Sequence, residues 1–323
     1  MREVHAYVYA CALDYVDADR CAASEDSPAG AEVYDVTHAD GPVSLVSKLV
    51  SLPAKGRGFP ACDYVGPELA AFGRAEESAL DVDFTAELAA TAKGVRSCHK
   101  VEPAEYAALL AHMHAADMLE LTAEHTGHPL GVFGVWKVVG QLLRLIVDGR
   151  PANAFFRTPE YEHTGGDSLA RIQVDAGMSL EVAKCDLADF FHCCEAPDAV
   201  RPYLGLRRVL AADLRDAGVA VPVAAGDAGG YTWPRLTTLP MGWKPSPGIA
   251  QGSHEAVLYG SLGGGSELAR ALPPVLEPAA RWSSERVPEL DSPGARTPHA
   301  LVVDDLLLFR MVPRRKRSPP RPL

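Results

Sequence analysis

Three carboxylates constrain this chain more than any other feature. They are Asp186 in the stretch VAKCDLADFFHCC, and the adjacent Asp304 and Asp305 in ALVVDDLLLF. Each lies in or beside an apolar run that reads as a buried strand, where a bare negative charge is costly. The pair falls between LVV and LLLF, which places it at a hairpin tip. Asp186 stands well over a hundred residues earlier. A fold that sets the two strands side by side makes a divalent-metal site of all three, because a shared cation offsets the repulsion among the acids.

A chain of 323 residues holds one large domain or two smaller ones. Its net charge of −11 weighs against a general nucleic-acid binder, since phosphate contacts need Lys and Arg, although local clustering decides. No run approaches the ~20 apolar residues of a membrane helix, and the N-terminus MREVHAYVYACALDY has no signal-peptide pattern. Seven cysteines without CxxC spacing read as reduced thiols of an intracellular protein, cytoplasmic or nuclear.

Residues 1–95, rich in Ala, Gly, Asp and Ser, carry no chemical motif and read as a leader or accessory segment. A helix is expected from Pro103, with Tyr106, Leu109, Leu110 and Met113 on one face, in a segment closed by Gly127 and Pro129. His112 and His114, two residues apart on that helix, point in different directions and make a poor joint ligand pair. The β-prone runs Val135–Val139 and Leu142–Val147, broken at Gly140-Gln141, predict a hairpin. Around it stand Lys137, Arg144, Asp148 and Arg150. Asp148 is either the ion-pair partner that orients one arginine or a solvated strand end.

The alternation before Asp186 predicts a strand, and Asp189 then either joins the acidic site or caps the next helix. His192, Cys193 and Cys194 are consecutive, a spacing that suits zinc poorly. After Pro197 a single helix is expected, ending near Gly218. In LTTLPMGWKPSPGIAQGSHEAVLYG, the residues Pro240, Gly242 and Pro245 make a loop, with Ser246 capping a helix that begins at Pro247. Such a loop either passes its backbone close to a ligand or is an ordinary junction. Residues 260–298 are a low-complexity insertion without a phosphate-loop motif, and 311–323 are a basic, proline-rich tail.

Taken in order, RLIVDGR (144–150), KCDLADFF (184–191), LPMGWKPSPGIAQ (239–251) and VDD (303–305) resemble the successive motifs of reverse transcriptases. The likeness is to those of retroviruses and LTR-type retrotransposons, over roughly residues 135–310. It implies an α+β, right-hand polymerase fold of fingers and palm, the palm a β-sheet backed by helices. Fingers would occupy 96–178 and palm 179–323, with a return to the fingers at 197–240. Since the likeness stops after Phe309, a thumb is expected to be absent. Asp186, Asp304 and Asp305 would hold two Mg²⁺ ions, with Mn²⁺ the alternative. Arg144 and Lys137 would bind the triphosphate of an incoming dNTP, and the backbone amides of Asp189 and Phe190 would face it. Phe191 would exclude a ribose 2′-hydroxyl. Met241, Gly242 and the helix from Ser246 through Pro247 to Gln251 would floor the nascent base pair, with Asp148, Arg150 and Pro240 orienting their neighbours. An RNA template and a DNA primer would be the partners. Met241 stands where retroviral enzymes carry Gln, and Val302-Val303 where an aromatic-containing dipeptide is usual. A catalytically inactive or domesticated palm remnant, binding RNA or a protein, is the other reading. A metal-dependent nuclease or phosphatase would leave Arg144, Phe191 and the LPMGWKPSP loop unexplained.

Overall fold

A computed structural model describes residues 42–56, 58–81, 97–161, 174, 176–226, 229–260 and 299–313. Outside them lie 1–41 and 82–96 of the N-terminal segment, the insertion from 261 to 298, and the basic tail from 314 onward. The architecture is α+β with several small sheets. Its strands are β1 (Val50–Ser51), β2 (Leu119–Thr122), β3 (Gly131–Val138), β4 (Leu142–Asp148), β5 (Met178–Asp186), β6 (Val209–Leu210), β7 (Tyr231–Leu236), β8 (His299–Val302) and β9 (Asp305–Pro313). Its α-helices are α1 (Pro67–Gly73), α2 (Pro103–Ala115), α3 (Arg150–Asn153), α4 (Phe190–Cys193), α5 (Ala211–Asp216) and α6 (Pro245–Glu255). Among the described residues no helix is long and apolar enough to cross a membrane.

The described residues divide into two compact units, one of 174, 176–188, 254–260 and 299–313, the other of 42–56, 58–81, 97–161, 189–226 and 229–253. The second unit carries two sheets, β1-β4-β3 and β2-β7-β6. Helix α2 opens on Pro103 at its first turn, where a missing N–H costs nothing, and buries Tyr106, Leu109, Leu110 and Met113 as the spacing predicts. Each such burial is worth about 1.5–3 kcal/mol. The helix ends at Ala115, well short of Gly127. Asp117 turns left-handed (φ 59°), its N–H bonds to His114 O, and Met118 N–H reaches back to Met113 O at 2.9 Å. That is a Schellman ending with aspartate in place of glycine, and it frees Leu119–Thr122 to pair with β7. The β3–β4 hairpin forms as expected, with Gly140 left-handed (φ 72°) at its turn.

The single helix expected after Pro197 is instead a 3₁₀ turn (Arg201–Leu204), then β6, then α5, with Gly218 left-handed (φ 89°) just beyond. Pairing overrides the apolar spacing here. Leu206 N–H bonds Pro234 O at 2.8 Å, and Val209–Leu210 run antiparallel to β7. Strand β7 itself was hidden in the sequence by Pro234, which argues against a central strand.

The first unit holds the antiparallel sheet β5-β9-β8. β9 is its middle strand, and Leu306, Leu308 and Phe309 are buried. β5 is not the buried strand its apolar run suggested. It lies at the side of the described sheet, with Glu181, Val182, Lys184 and Asp186 exposed, so Asp186 does not bear the full cost of burial. β9 also runs on through Pro313, which pairs with Met178, so residues 311–313 are strand rather than tail.

Candidate metal centre

Strand register builds the acidic site. Asp186, the last residue of β5, lies directly opposite Asp305, the first of β9. β8 and β9 are joined by a two-residue turn, Val303–Asp304, because Val302 pairs with Asp305. Asp186, Asp304 and Asp305 each offer an oxygen within 4.8 Å of the others. Asp186 is exposed, and the other two are half-buried. Burial raises the Asp304 carboxyl above the ordinary aspartate range, and the neighbouring charges of Asp305 and Asp186 push it the same way.

Lys184, two residues before Asp186 on the same face of β5, places its Nζ 2.8 Å from Asp305 Oδ2. That hydrogen bond, with the pull of all three acids, holds the ammonium pKa above its usual value. The other oxygen, Asp305 Oδ1, is buried without a hydrogen-bond partner among the described residues. The turn is tied from two sides. Leu187 N–H donates to Asp304 O at 3.0 Å, and the His254 ring nitrogen Nδ1 donates to Val303 O at 2.9 Å. Neither Lys184 nor His254 stood out in the sequence. Lys184 had a readable signal, since i and i+2 on a strand share a face.

An all-oxygen set of three carboxylates suits a hard divalent cation such as Mg²⁺ or Mn²⁺ and offers none of the sulfur or imidazole donors that zinc favours. The unmet Asp305 Oδ1 and the raised Asp304 carboxyl are both what such a cation would correct. The residues therefore fit the metal the sequence pattern implies.

The second unit holds the remaining candidates. Asp148 is not a solvated strand end: it is 7% exposed and paired with Arg150. Arg150 Nη2 lies 2.6 Å from its Oδ2 and Nε 2.9 Å from its Oδ1, and Cys98 N–H donates to Oδ2 at 2.6 Å. Burial raises this carboxyl, but the bonds from Arg150 and Cys98 outweigh it and leave the pKa below the ordinary range. Arg144 is exposed on β4 opposite Val135, and Lys137 is exposed at the register shift between Trp136 and Val138.

Between Asp148 and Arg150, Gly149 meets the 240–244 turn. A Cβ on Gly149 would fall 2.1 Å from Gly242 O, and one on Gly242 would fall 2.0 Å from Val147 O. Only two glycines permit this approach. Asn153 locks it, donating from Nδ2 to Gly242 O at 2.9 Å and accepting Lys244 N–H at 2.8 Å. Trp243 is fully buried edge-on against Phe156, which leaves Met241 exposed and Pro240 buried.

Helix α6 starts at Pro245, two residues before the position expected. Ser246 is therefore no cap but a buried residue of the first turn, followed by Pro247, and Gln251 is buried further along. Pro245 takes the start because its fixed φ is already helical. Asp189 does occupy the N-cap of α4, but left-handed (φ 54°) and without a side-chain bond. Its carbonyl takes the N–H groups of His192 and Cys193 instead. Phe190 is buried against Phe59, and Phe191 is half-buried.

Three solved foamy-virus structures are similar to the chain. They are a selenomethionine-labelled CSH mutant of prototype foamy virus protease-reverse transcriptase (14% identity, 62% of this chain, TM-score 0.35), a foamy viral protease-reverse transcriptase dRH with double-stranded DNA (12%, 66%, 0.38), and the native prototype foamy virus protein (13%, 66%, 0.38). The chain spans 19%, 27% and 21% of the length of those chains, respectively. No protein-family profile matches the chain. No curated protein matches it either.

Proposed function

We propose that this chain is a reverse-transcriptase-like nucleotidyltransferase that extends a DNA primer on an RNA template with dNTPs. The observation that carries the reading is the meeting of Asp186 with Asp304 and Asp305 at one end of a three-stranded sheet, with oxygens within 4.8 Å. The order of the motifs around those acids supports it. In this reading the first unit acts as palm and most of the second as fingers. Asp186 and Asp304 are the main ligands and Asp305 the third carboxylate. When bound, a pair of divalent ions supplies the charge that activates a primer 3′-hydroxyl and neutralises the leaving pyrophosphate.

The chain's own contribution is positioning. Strands β5 and β9 and the tied β8–β9 turn fix the three acids before any substrate arrives, so little reorganisation is needed at the reaction step. Arg144 and Lys137, exposed on β4 and β3, would bind the triphosphate as the resemblance implies, with the amides of Asp189 and Phe190 facing it. Phe191 is assigned the discrimination against ribose. Gly242, held by Asn153 against Gly149, would keep Met241 presented under the nascent base pair.

Primer extension on an RNA template, with Mg²⁺ or Mn²⁺, tests the reading. Wild type should extend the primer, and Asp304→Asn should lose on the order of 10²–10³-fold, the scale of removing one preorganised electrostatic group. Arg144→Ala should abolish Mg²⁺-dependent dNTP binding while leaving the fold intact. Nucleic-acid binding with no extension under any divalent ion would favour the non-catalytic remnant. Hydrolysis without dNTP preference would favour the nuclease.

A further inference from the structure

The hairpin that carries Asp304 and Asp305 is strained in one place. Val303 has φ 59°, and among the described residues it is the one β-branched side chain with positive φ. Asp304, the next residue, does not share that sign. Positive φ at the first central position alone is the φ pattern of a type II′ hairpin turn, where glycine is normally required. A valine there is disfavoured, because its branched Cβ crowds the backbone in the left-handed region. Something must hold it.

The holding bond is visible. His254 is 2% exposed on α6, and its Nδ1 lies 2.9 Å from the Val303 carbonyl oxygen. A carbonyl only accepts, so Nδ1 carries the hydrogen. The next carbonyl, that of Asp304, accepts Leu187 N–H at 3.0 Å from the chain just past Asp186. Both peptide planes of the turn are thus tied to segments distant in sequence. If the first tie is lost, the Val303 peptide can relax out of the left-handed region, and the carboxylates that follow it re-aim.

We propose that His254 is a positioning residue for the metal centre, holding Val303 in the left-handed conformation that directs Asp304 and Asp305 toward Asp186. This rests on the metal reading above. In this role His254 is not a ligand; it acts on the acids through the Val303 carbonyl. Two consequences separate this role from simple core packing. Asparagine at 254 offers an amide N–H near the position of Nδ1 and should substitute for histidine. Glycine at 303 adopts positive φ without cost, so it should make the anchor dispensable.

The experiment measures Mn²⁺ binding to the full chain by titration calorimetry, with thermal melting to confirm that each variant is folded. Expected are roughly tenfold or greater weakening in His254→Ala, the usual effect of losing a partner that orients metal ligands. His254→Asn and the combined His254→Ala with Val303→Gly should bind within about threefold of wild type. Val303→Gly alone should bind as wild type does. Wild-type affinity in His254→Ala overturns the proposal and leaves the metal reading standing. Weakened binding that neither asparagine at 254 nor glycine at 303 restores also overturns it, since His254 would then serve only to pack. Wild type that binds no Mn²⁺ overturns the metal reading itself. Should His254→Ala not fold, failure of His254→Asn to match wild type is decisive against the anchor.

Discussion

Lys184 donates to Asp305 across 2.8 Å, so a cation already sits beside the acids before any metal does. A divalent ion that takes Asp305 competes with that ammonium. Lys184→Met should therefore tighten Mn²⁺ binding, by only roughly twofold to fivefold because the pair is half exposed and screened; Lys184→Arg should not, and calorimetry distinguishes them. Asp148 shows the opposite arrangement, an acid sunk into the structure and fully paired. Its folded pKa is depressed, so the stability it contributes is present above the unfolded carboxyl's value of about 3.9 and is lost as pH falls through the lower folded value. Asp148→Asn should cost roughly 1–3 kcal/mol at pH 7 in urea denaturation, and the gap to wild type should close as the pH is taken below 4. A gap that does not narrow at any acid pH where both proteins still fold would mean the charge of Asp148 is not what stabilises. Sequence reading left this residue between an ion pair and a solvated strand end. The choice needed Cys98, fifty positions earlier, to supply a backbone N–H.

Elements were legible where local pattern and pairing agree. The face of α2, the β3–β4 hairpin, and the strands that flank the acids all follow from periodicity. The stretch after Pro197 was not legible, because β7 captures it and the capture depends on a strand interrupted by Pro234. Nor was the start of α6, where two prolines and a serine compete within three residues. The contact between the 240–244 turn and Gly149 is the element-level feature with the sharpest consequence. Gly242→Ala would drive a Cβ into Val147 O, and the turn would have to move. It should cost roughly 1–3 kcal/mol in chemical denaturation and, in the proposed polymerase, raise the KM for dNTP more than it lowers kcat. Loss confined to kcat would argue against a role for Met241 and Gly242 beneath the base pair.

On the scale of the whole chain, the first unit is assembled from stretches far apart in sequence, with β5 and β9 separated by over a hundred residues. Three carboxylates are concentrated where those stretches meet, so a bound cation should stabilise the folded chain. With free Mg²⁺ at a hundred times its Kd, the gain is about 2.7 kcal/mol, visible as a rise in Tm that a chelator reverses. Asp304→Asn should show no such rise. An equal rise in that variant would place the cation elsewhere. By itself the sequence singled out candidate residues for the chemistry, since apolar alternation marks a strand, paired acids between strands mark a hairpin end, and the order of four motifs resembles that of reverse transcriptases. Those signals are local or simply ordered along the chain. Only the tertiary structure decided that Asp186 pairs with Asp305, that Lys184 already neutralises part of the site, and that His254 and Leu187 hold the turn between them. Register and hydrogen bonds join residues that no periodicity links, and a one-residue slip of β5 would have turned Asp186 to the opposite face.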